Sequence, residues 1–158
     1  MVRIRHQRPQ QARRGTTIVE TAVVMPVFAL FLAALIEFGH AYMTIGTMQA
    51  ATKSAAQIGS LDDRTTADIV ARVNQVMSSA VRTGTMQVLV KNGSQFDQPG
   101  ATGESIDIDT LPDVEVGSLE TSELFIVEVR IPYNDVAIMP PFWARNITLT
   151  ARSVMRHE

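Results

Sequence analysis

The sequence predicts an α+β fold in which a long N-terminal helix and a second amphipathic helix pack on a small antiparallel β-sheet. Three observations lead to this prediction. Residues 21–36 form an uncharged apolar run, and the apolar positions of residues 45–58 and 69–81 recur at helical steps of three and four. Beyond residue 86, apolar and polar positions alternate with the period of a strand. At 158 residues, the chain has room for one modest domain and one helical anchor.

The first half of the long helix is expected to cross a membrane. The sixteen residues of the apolar run span about 24 Å, and a helix over residues 18–43 covers a hydrocarbon core of ~30 Å. Arg13 and Arg14 end a leader that has five arginines and no acid, which predicts a cytoplasmic N-terminus. The predicted organisation is a basic leader at 1–15, a transmembrane helix at 16–43 and an extracytoplasmic α+β domain at 44–158.

Pro26 lies inside the apolar run. It removes one backbone hydrogen bond and is expected to kink the helix, which membrane helices tolerate. Two simpler interpretations of the segment stay open at this point. It could be a plain signal anchor, or a secretory signal peptide that is cleaved after its apolar core.

The second half of the long helix is expected to continue beyond the membrane as an amphipathic helix. Gly59-Ser60 predicts its end. Thr65 and Asp68 have the spacing of a capping box, which predicts a second helix that ends near Arg82-Thr83-Gly84. One face of the first helix is formed by Ile45, Met48, Ala51, Ala55 and Ile58.

Three to five strands are expected in the C-terminal half. Asn92-Gly93 is a turn signal, Pro132 marks an edge or the end of the clearest strand, and Pro140-Pro141 interrupts the chain. The alternating apolar residues place strands at 86–90, 106–108, 125–133 and 147–155.

The sequence shows no catalytic or metal-binding constellation. The absence of cysteine excludes disulfides, thiol nucleophiles and zinc–thiolate sites. His6, His40 and His157 lack metal-ligand spacing, and nucleotide-binding and hydrolase motifs are missing. Beyond the leader, nine basic residues face 16 acidic ones, which argues against nucleic-acid binding. We therefore expect no enzyme activity, no cofactor and no metal.

Two further clusters have ordinary explanations. Asp107, Asp109 and Asp113 could be drawn as a calcium loop, but they lack the glycine and the distal glutamate of an EF-hand. A solvated strand face explains them better. Phe142 and Trp143, beside the two prolines, are expected to be a core plug or an interface pair rather than a ligand site.

Glu20 is the residue whose position most needs an explanation. An ionisable group beside a membrane span costs on the order of 2–3 kcal/mol and usually has a partner. The span contains no lysine or arginine, so the partner must be an interface arginine, another chain or a new amino terminus. A cut after Gly15 would place the amine of Thr16 at the start of the helix. In a bundle staggered by about one turn, that amine would meet Glu20 of a neighbouring subunit.

The segment Arg13-Arg-Gly-Thr-Thr-Ile-Val-Glu-Thr-Ala-Val-Val-Met-Pro resembles the start of the TadE-like family of the tight-adherence (Tad/Flp) type IV pilus system. Gly15 followed by Glu20 is similar to the class III signal peptide of type IV pilins and pseudopilins. In that signal a basic leader precedes the cleaved glycine, and glutamate is the fifth mature residue. The tail, Ile147-Thr-Leu-Thr-Ala-Arg-Ser-Val-Met-Arg, is also similar to tails of this family.

The resemblance implies a pilin-like fold and a minor pseudopilin of the bacterial inner membrane, with its C-terminal domain in the periplasm or outside the cell. A prepilin peptidase would cut between Gly15 and Thr16, and Glu20 would guide assembly with other pilins and the Tad secretion machinery. Thr21, where major Flp pilins usually carry tyrosine, and the large body favour a minor component over the main shaft subunit. The alternative is an uncleaved bitopic envelope protein whose outer domain binds a partner or ligand.

Overall fold

The computed structural model describes residues 11–81, 83–102 and 106–158, and it describes their side chains from Thr17 onward except that of Thr83. Leader residues 1–10, with His6, and the expected helix end at Arg82 lie outside the described residues. The described residues fall into two compact units, one reaching to Ile36 and the other covering Glu37–Glu158. The elements are α1 (Gln11–Gly59), α2 (Thr66–Met77), β1 (Gln87–Asn92), β2 (Leu124–Pro132), α3 (Tyr133–Val136) and β3 (Thr148–Arg156).

Helix α1 is the long N-terminal helix that the sequence predicts. It continues through Pro26 and ends at Gly59, as expected from Gly59-Ser60. Of the helices that the structure describes, only the stretch within Thr17–Gly59 is long and apolar enough to cross a membrane, and its apolar window has no buried residue. The helix therefore fits a single-pass membrane anchor.

In the C-terminal unit (Glu37–Glu158), α1 presents its predicted apolar face to the protein core. Met48, Ala51 and Ala55 are fully buried, and they form one cluster with the apolar residues of α2 and β2. The alanines keep this face narrow, so neighbouring elements can approach closely. At Gly59 a Cβ atom would come within 2.5 Å of Ile69 Cδ1, so only glycine fits without repacking.

Helix α2 begins with the predicted capping box. The Thr65 hydroxyl accepts from the Asp68 backbone N–H, and an Asp68 carboxylate oxygen accepts from the Thr65 backbone N–H at 3.0 Å. The helix ends at Met77, earlier than the sequence suggests. Ser78 and Ser79 explain the early end, since their hydroxyls donate to the carbonyls of Gln75 and Val76 and compete with further helical bonds.

The capping box makes a pH-dependent contribution to stability. Hydrogen bonds from the backbone and side chain of Thr65 lower the pKa of Asp68. A carboxyl whose pKa is lower in the folded state stabilises the fold above its unfolded pKa of about 3.9, and this contribution is lost as pH falls through the folded value. Asp68→Asn is therefore expected to be less stable than the wild type at pH 7 and equally stable at the acid end. Urea unfolding of both proteins across this pH range measures the difference; a gap that stays constant with pH would contradict the assignment.

The α+β fold class is confirmed, with a three-stranded antiparallel sheet in the order β1-β2-β3. Val127 of β2 pairs with Val90, and Val129 pairs with Ala151. Pro132 is the last residue of β2, as expected for a residue that cannot donate to the ladder. Residues at alternate positions of β2 face the helices and are fully buried: Phe125, Val127, Val129 and Ile131.

The opposite face of β2 buries a carboxylate among arginines. Glu128 is fully buried, and its Oε1 accepts from Arg130 Nε at 2.9 Å and from Arg152 Nε at 3.0 Å. Arg130 also pairs with Asp109. These bonds tie three parts of the chain together, since Glu128 and Arg130 lie in β2, Arg152 lies in β3 and Asp109 lies before β2.

The prediction of a short strand around Ile106 and Ile108 is wrong. Ile108–Thr110 forms a 3₁₀ turn instead. Asp107 explains the difference, because its carboxylate accepts from the Asp109 N–H at 3.0 Å and its carbonyl accepts from the Thr110 hydroxyl at 2.7 Å. The alternation of isoleucine and aspartate therefore reflects a side-chain-capped turn rather than a pleated face.

The aspartates of this region bind separate partners. A hydrogen bond from the Arg130 guanidinium holds the pKa of Asp109 below its usual range. Asp113 pairs with Lys91 at 2.9 Å. Each carboxylate thus has its own neighbouring donor, which accounts for the acidic cluster without a shared ligand.

Candidate functional site

The predicted processing junction lies within the N-terminal unit of α1. Arg13, Arg14, Gly15 and Thr16 have helical backbone, while their side chains lie outside the described part of the chain. Glu20 follows in the same helix, four residues after Thr16, which corresponds to a rise of about 6 Å. The predicted cut and the carboxylate are therefore about one helical turn apart.

Glu20 is an exposed carboxylate on an apolar helix. Val19 and Val23, which flank it, are also exposed, at 65% and 67%. Among the described side chains, none forms a hydrogen bond or ion pair with Glu20, and no charged residue lies between Glu20 and Glu37. A carboxylate in such surroundings needs a partner from outside the described side chains.

A second carboxylate of α1, Glu37, has partners that the sequence does not reveal. Its side chain lies in the C-terminal unit and is buried, with 2% of the residue exposed. Its Oε1 accepts from Ala144 N at 2.6 Å and from Trp143 N at 3.0 Å, and its Oε2 accepts from Phe142 N at 3.1 Å. Three successive backbone amides therefore cradle one carboxylate, and each bond is charge-assisted.

Tyr133, the first residue of α3, makes a second link to α1. Its hydroxyl donates to the backbone carbonyl of Glu37 at 2.9 Å and lies 3.4 Å from His40 Nδ1. Burial raises the pKa of Tyr133, and the Glu37 carboxylate raises it further. The phenol therefore stays protonated and keeps its donor role.

The loop that Glu37 holds, residues 137–147, is called the aromatic loop below. Its base is closed by Asn134 and Asn146. Asn134 Nδ2 donates to Asn146 Oδ1 at 2.8 Å, and Asn146 N donates to Asn134 Oδ1 at 3.1 Å. Asn146 has a φ of 60°, a left-handed conformation that asparagine tolerates better than most residues. The loop is thus fixed both at its base and at its centre.

The aromatic loop presents large apolar side chains to the surroundings. Phe142 is 70% exposed and Trp143 is 40% exposed, and their ring centroids lie 4.8 Å apart in an edge-to-face arrangement. This exposure shows that the expected core plug is wrong, and the interface pair stays a prediction. Ile138, in the same loop, is 72% exposed.

Sequence reasoning predicted the junction but missed the role of Glu37. Glu37 directly follows the apolar run, and its neighbours in the sequence do not indicate what it binds. Its amide donors lie more than one hundred residues further along the chain. Backbone amides carry no side-chain signature, so the one available clue is Pro140-Pro141, which have no N–H of their own and make Phe142 the first donor after them.

Comparison with known proteins agrees with the N-terminal resemblance. The model of the family described as TadE-like protein matches residues 15–57. This match covers most of α1 and includes Gly15, Glu20 and Glu37. No curated protein and no solved structure is significantly similar to the chain. Residues 15–57 are therefore similar to the TadE-like family, the same family that the N-terminal sequence resembles.

Proposed function

We propose that this chain is a minor pseudopilin, a membrane-anchored structural component that supports assembly of a Tad pilus or a related secretion machine. The TadE-like match over residues 15–57 carries this proposal. The apolar helix, which is long enough to cross a membrane, supports it. The role is structural and not catalytic. Its partners are the lipid bilayer, other pilins and pseudopilins, and the Tad machinery.

The N-terminal junction has two roles in this proposal. A prepilin peptidase of the bacterial inner membrane cuts between Gly15 and Thr16 and removes the basic leader. The new amine at Thr16 then pairs with Glu20 of a neighbouring subunit. The spacing of about one helical turn supports this pairing, because copies of the helix staggered by about 6 Å bring the two groups to one level. Until the cut, Arg13 and Arg14 keep the N-terminus cytoplasmic.

Cleavage is tested by replacing Gly15 with a bulky residue. Gly15→Leu is expected to leave residues 1–15 attached, because a peptidase that accepts glycine has little room for a branched side chain. Intact-mass measurement of the membrane-extracted protein gives the answer directly. The wild-type chain should be lighter by the mass of the leader, and the variant should keep it.

Gly39→Leu is the matched control for this experiment. Gly39 lies in the same helix, and a Cβ atom placed there would meet nothing within 4 Å. This variant should be processed like the wild type. A wild-type protein that retains residues 1–15 would instead favour the uncleaved bitopic envelope protein.

A further inference from the structure

The aromatic loop is bound to Glu37, the residue that directly follows the apolar run of α1. Residues 21–36 contain no charged side chain, and Glu37 comes next. Sixteen helical residues rise about 24 Å, less than the ~30 Å of a hydrocarbon core. Because an ionisable group is costly inside the hydrocarbon, Glu37, the first charged residue after the run, is expected near the far interface of the bilayer that α1 would cross. The amides of residues 142–144, in direct contact with its carboxylate, are held at the same level.

The side chains exposed at this level are those that membrane interfaces prefer. Trp143 and Phe142 project from the loop. Phe38 and Tyr42, four residues apart on one face of α1, are 54% and 80% exposed. Tryptophan and tyrosine are enriched where lipid headgroups meet the acyl chains, because their rings are apolar and their N–H or O–H groups remain hydrated. The surface is therefore suited to the interfacial layer.

The polar groups of the loop also suit a lipid surface. The Glu37 charge is buried and bound by three amides, so the centre of the loop presents no bare carboxylate to the headgroups. Arg145 is exposed beside Trp143, and a guanidinium can bind lipid phosphate. Pro140 and Pro141 restrict the backbone that carries the aromatic rings. The loop can thus keep its rings outward without losing hydrogen bonds.

We propose that the aromatic loop, together with Phe38 and Tyr42, forms a second contact between this protein and the bilayer, seated in the interfacial layer. The bilayer is the occupant because the surface is continuous along the chain with the end of the apolar run. This inference rests on the proposed anchoring by α1. It adds that the C-terminal unit itself binds lipid.

Trp143 is the sole tryptophan of the chain, so its fluorescence reports directly on the loop. The full-length chain is reconstituted in phosphatidylcholine–phosphatidylglycerol vesicles, and flotation first shows whether it is anchored. Emission is then quenched either by lipids brominated near the carbonyl end of the acyl chain or by iodide in the aqueous phase. Bromolipid is expected to quench Trp143 several-fold more strongly than iodide does.

The matched control moves the probe to the other end of the sheet. In the double variant Trp143→Phe, Phe96→Trp, the tryptophan lies near Gly93, whose N–H donates to the Leu124 carbonyl at 2.8 Å. Leu124 begins β2 and Tyr133 follows its end, so the two sites are separated by about 30 Å. This probe should be quenched by iodide and not by bromolipid.

Three results would overturn the proposal in different ways. A chain that does not float lacks the anchor, and the proposed function fails with it. A floating chain in which iodide quenches Trp143 as strongly as the control probe has its loop in water. A floating chain in which neither quencher reaches Trp143, with an emission maximum that depends on the protein-to-lipid ratio, has the loop covered by a second copy.

Discussion

Glu20→Ala is expected to abolish assembly of this protein with its neighbouring subunits while leaving membrane insertion intact. Insertion should improve, because the replacement removes an ionisable group that costs on the order of 2–3 kcal/mol beside a span. Assembly should fail, because losing one member of a desolvated charge pair costs about 2–5 kcal/mol, which weakens association about thirtyfold or more. The measurement is the fraction of membrane-inserted protein that crosslinks to or copurifies with other pilus components.

Two further variants show whether the charge of Glu20 is responsible. Glu20→Gln keeps the shape and removes the charge, and it should fail like the alanine variant. Glu120→Ala removes a carboxylate from an exposed position of the C-terminal unit, and it should assemble normally. Normal assembly of both Glu20 variants would argue for a simple bitopic anchor.

Glu37→Ala is expected to release the aromatic loop and to destabilise the C-terminal unit by more than the loss of a single hydrogen bond, because the carboxylate accepts from three backbone amides. The physical reason is the loss of a common acceptor. The amides of Phe142, Trp143 and Ala144 would each lose a charge-assisted bond. Hydrogen exchange measured at these three amides in micelles should accelerate strongly, and denaturant unfolding should shift to lower concentration.

Glu123→Ala is the control for this effect. The Glu123 carboxylate accepts one backbone amide, that of Glu120, at 2.9 Å. Its loss should cost about 1 kcal/mol and should leave exchange in residues 142–144 unchanged. Equal effects of the two variants, or unaltered exchange in Glu37→Ala, would show that the carboxylate does not hold the loop.

Local patterns were sufficient to predict α1, α2 and the three strands, whereas α3 was not predicted. The helical spacing from Ile45 to Ile58, the capping box of Thr65 and Asp68, and the alternation before Pro132 are signals that neighbouring residues impose on the backbone. The strand expected at Ile106 and Ile108 failed because another local signal was stronger. There Asp107 binds its own following backbone and outweighs a two-residue alternation.

The order of residues along one helix was enough to indicate the TadE-like segment and the apolar anchor, and the sequence by itself determined them. The same order predicts the Gly15–Thr16 junction and the role of Glu20. The tertiary structure alone decided what Glu37 and the aromatic loop do. The carboxylate binds backbone amides more than one hundred residues away, and every residue type except proline supplies such an amide. Only folding brings those amides to Glu37, and only then do Phe142 and Trp143 become an exposed surface rather than part of the core.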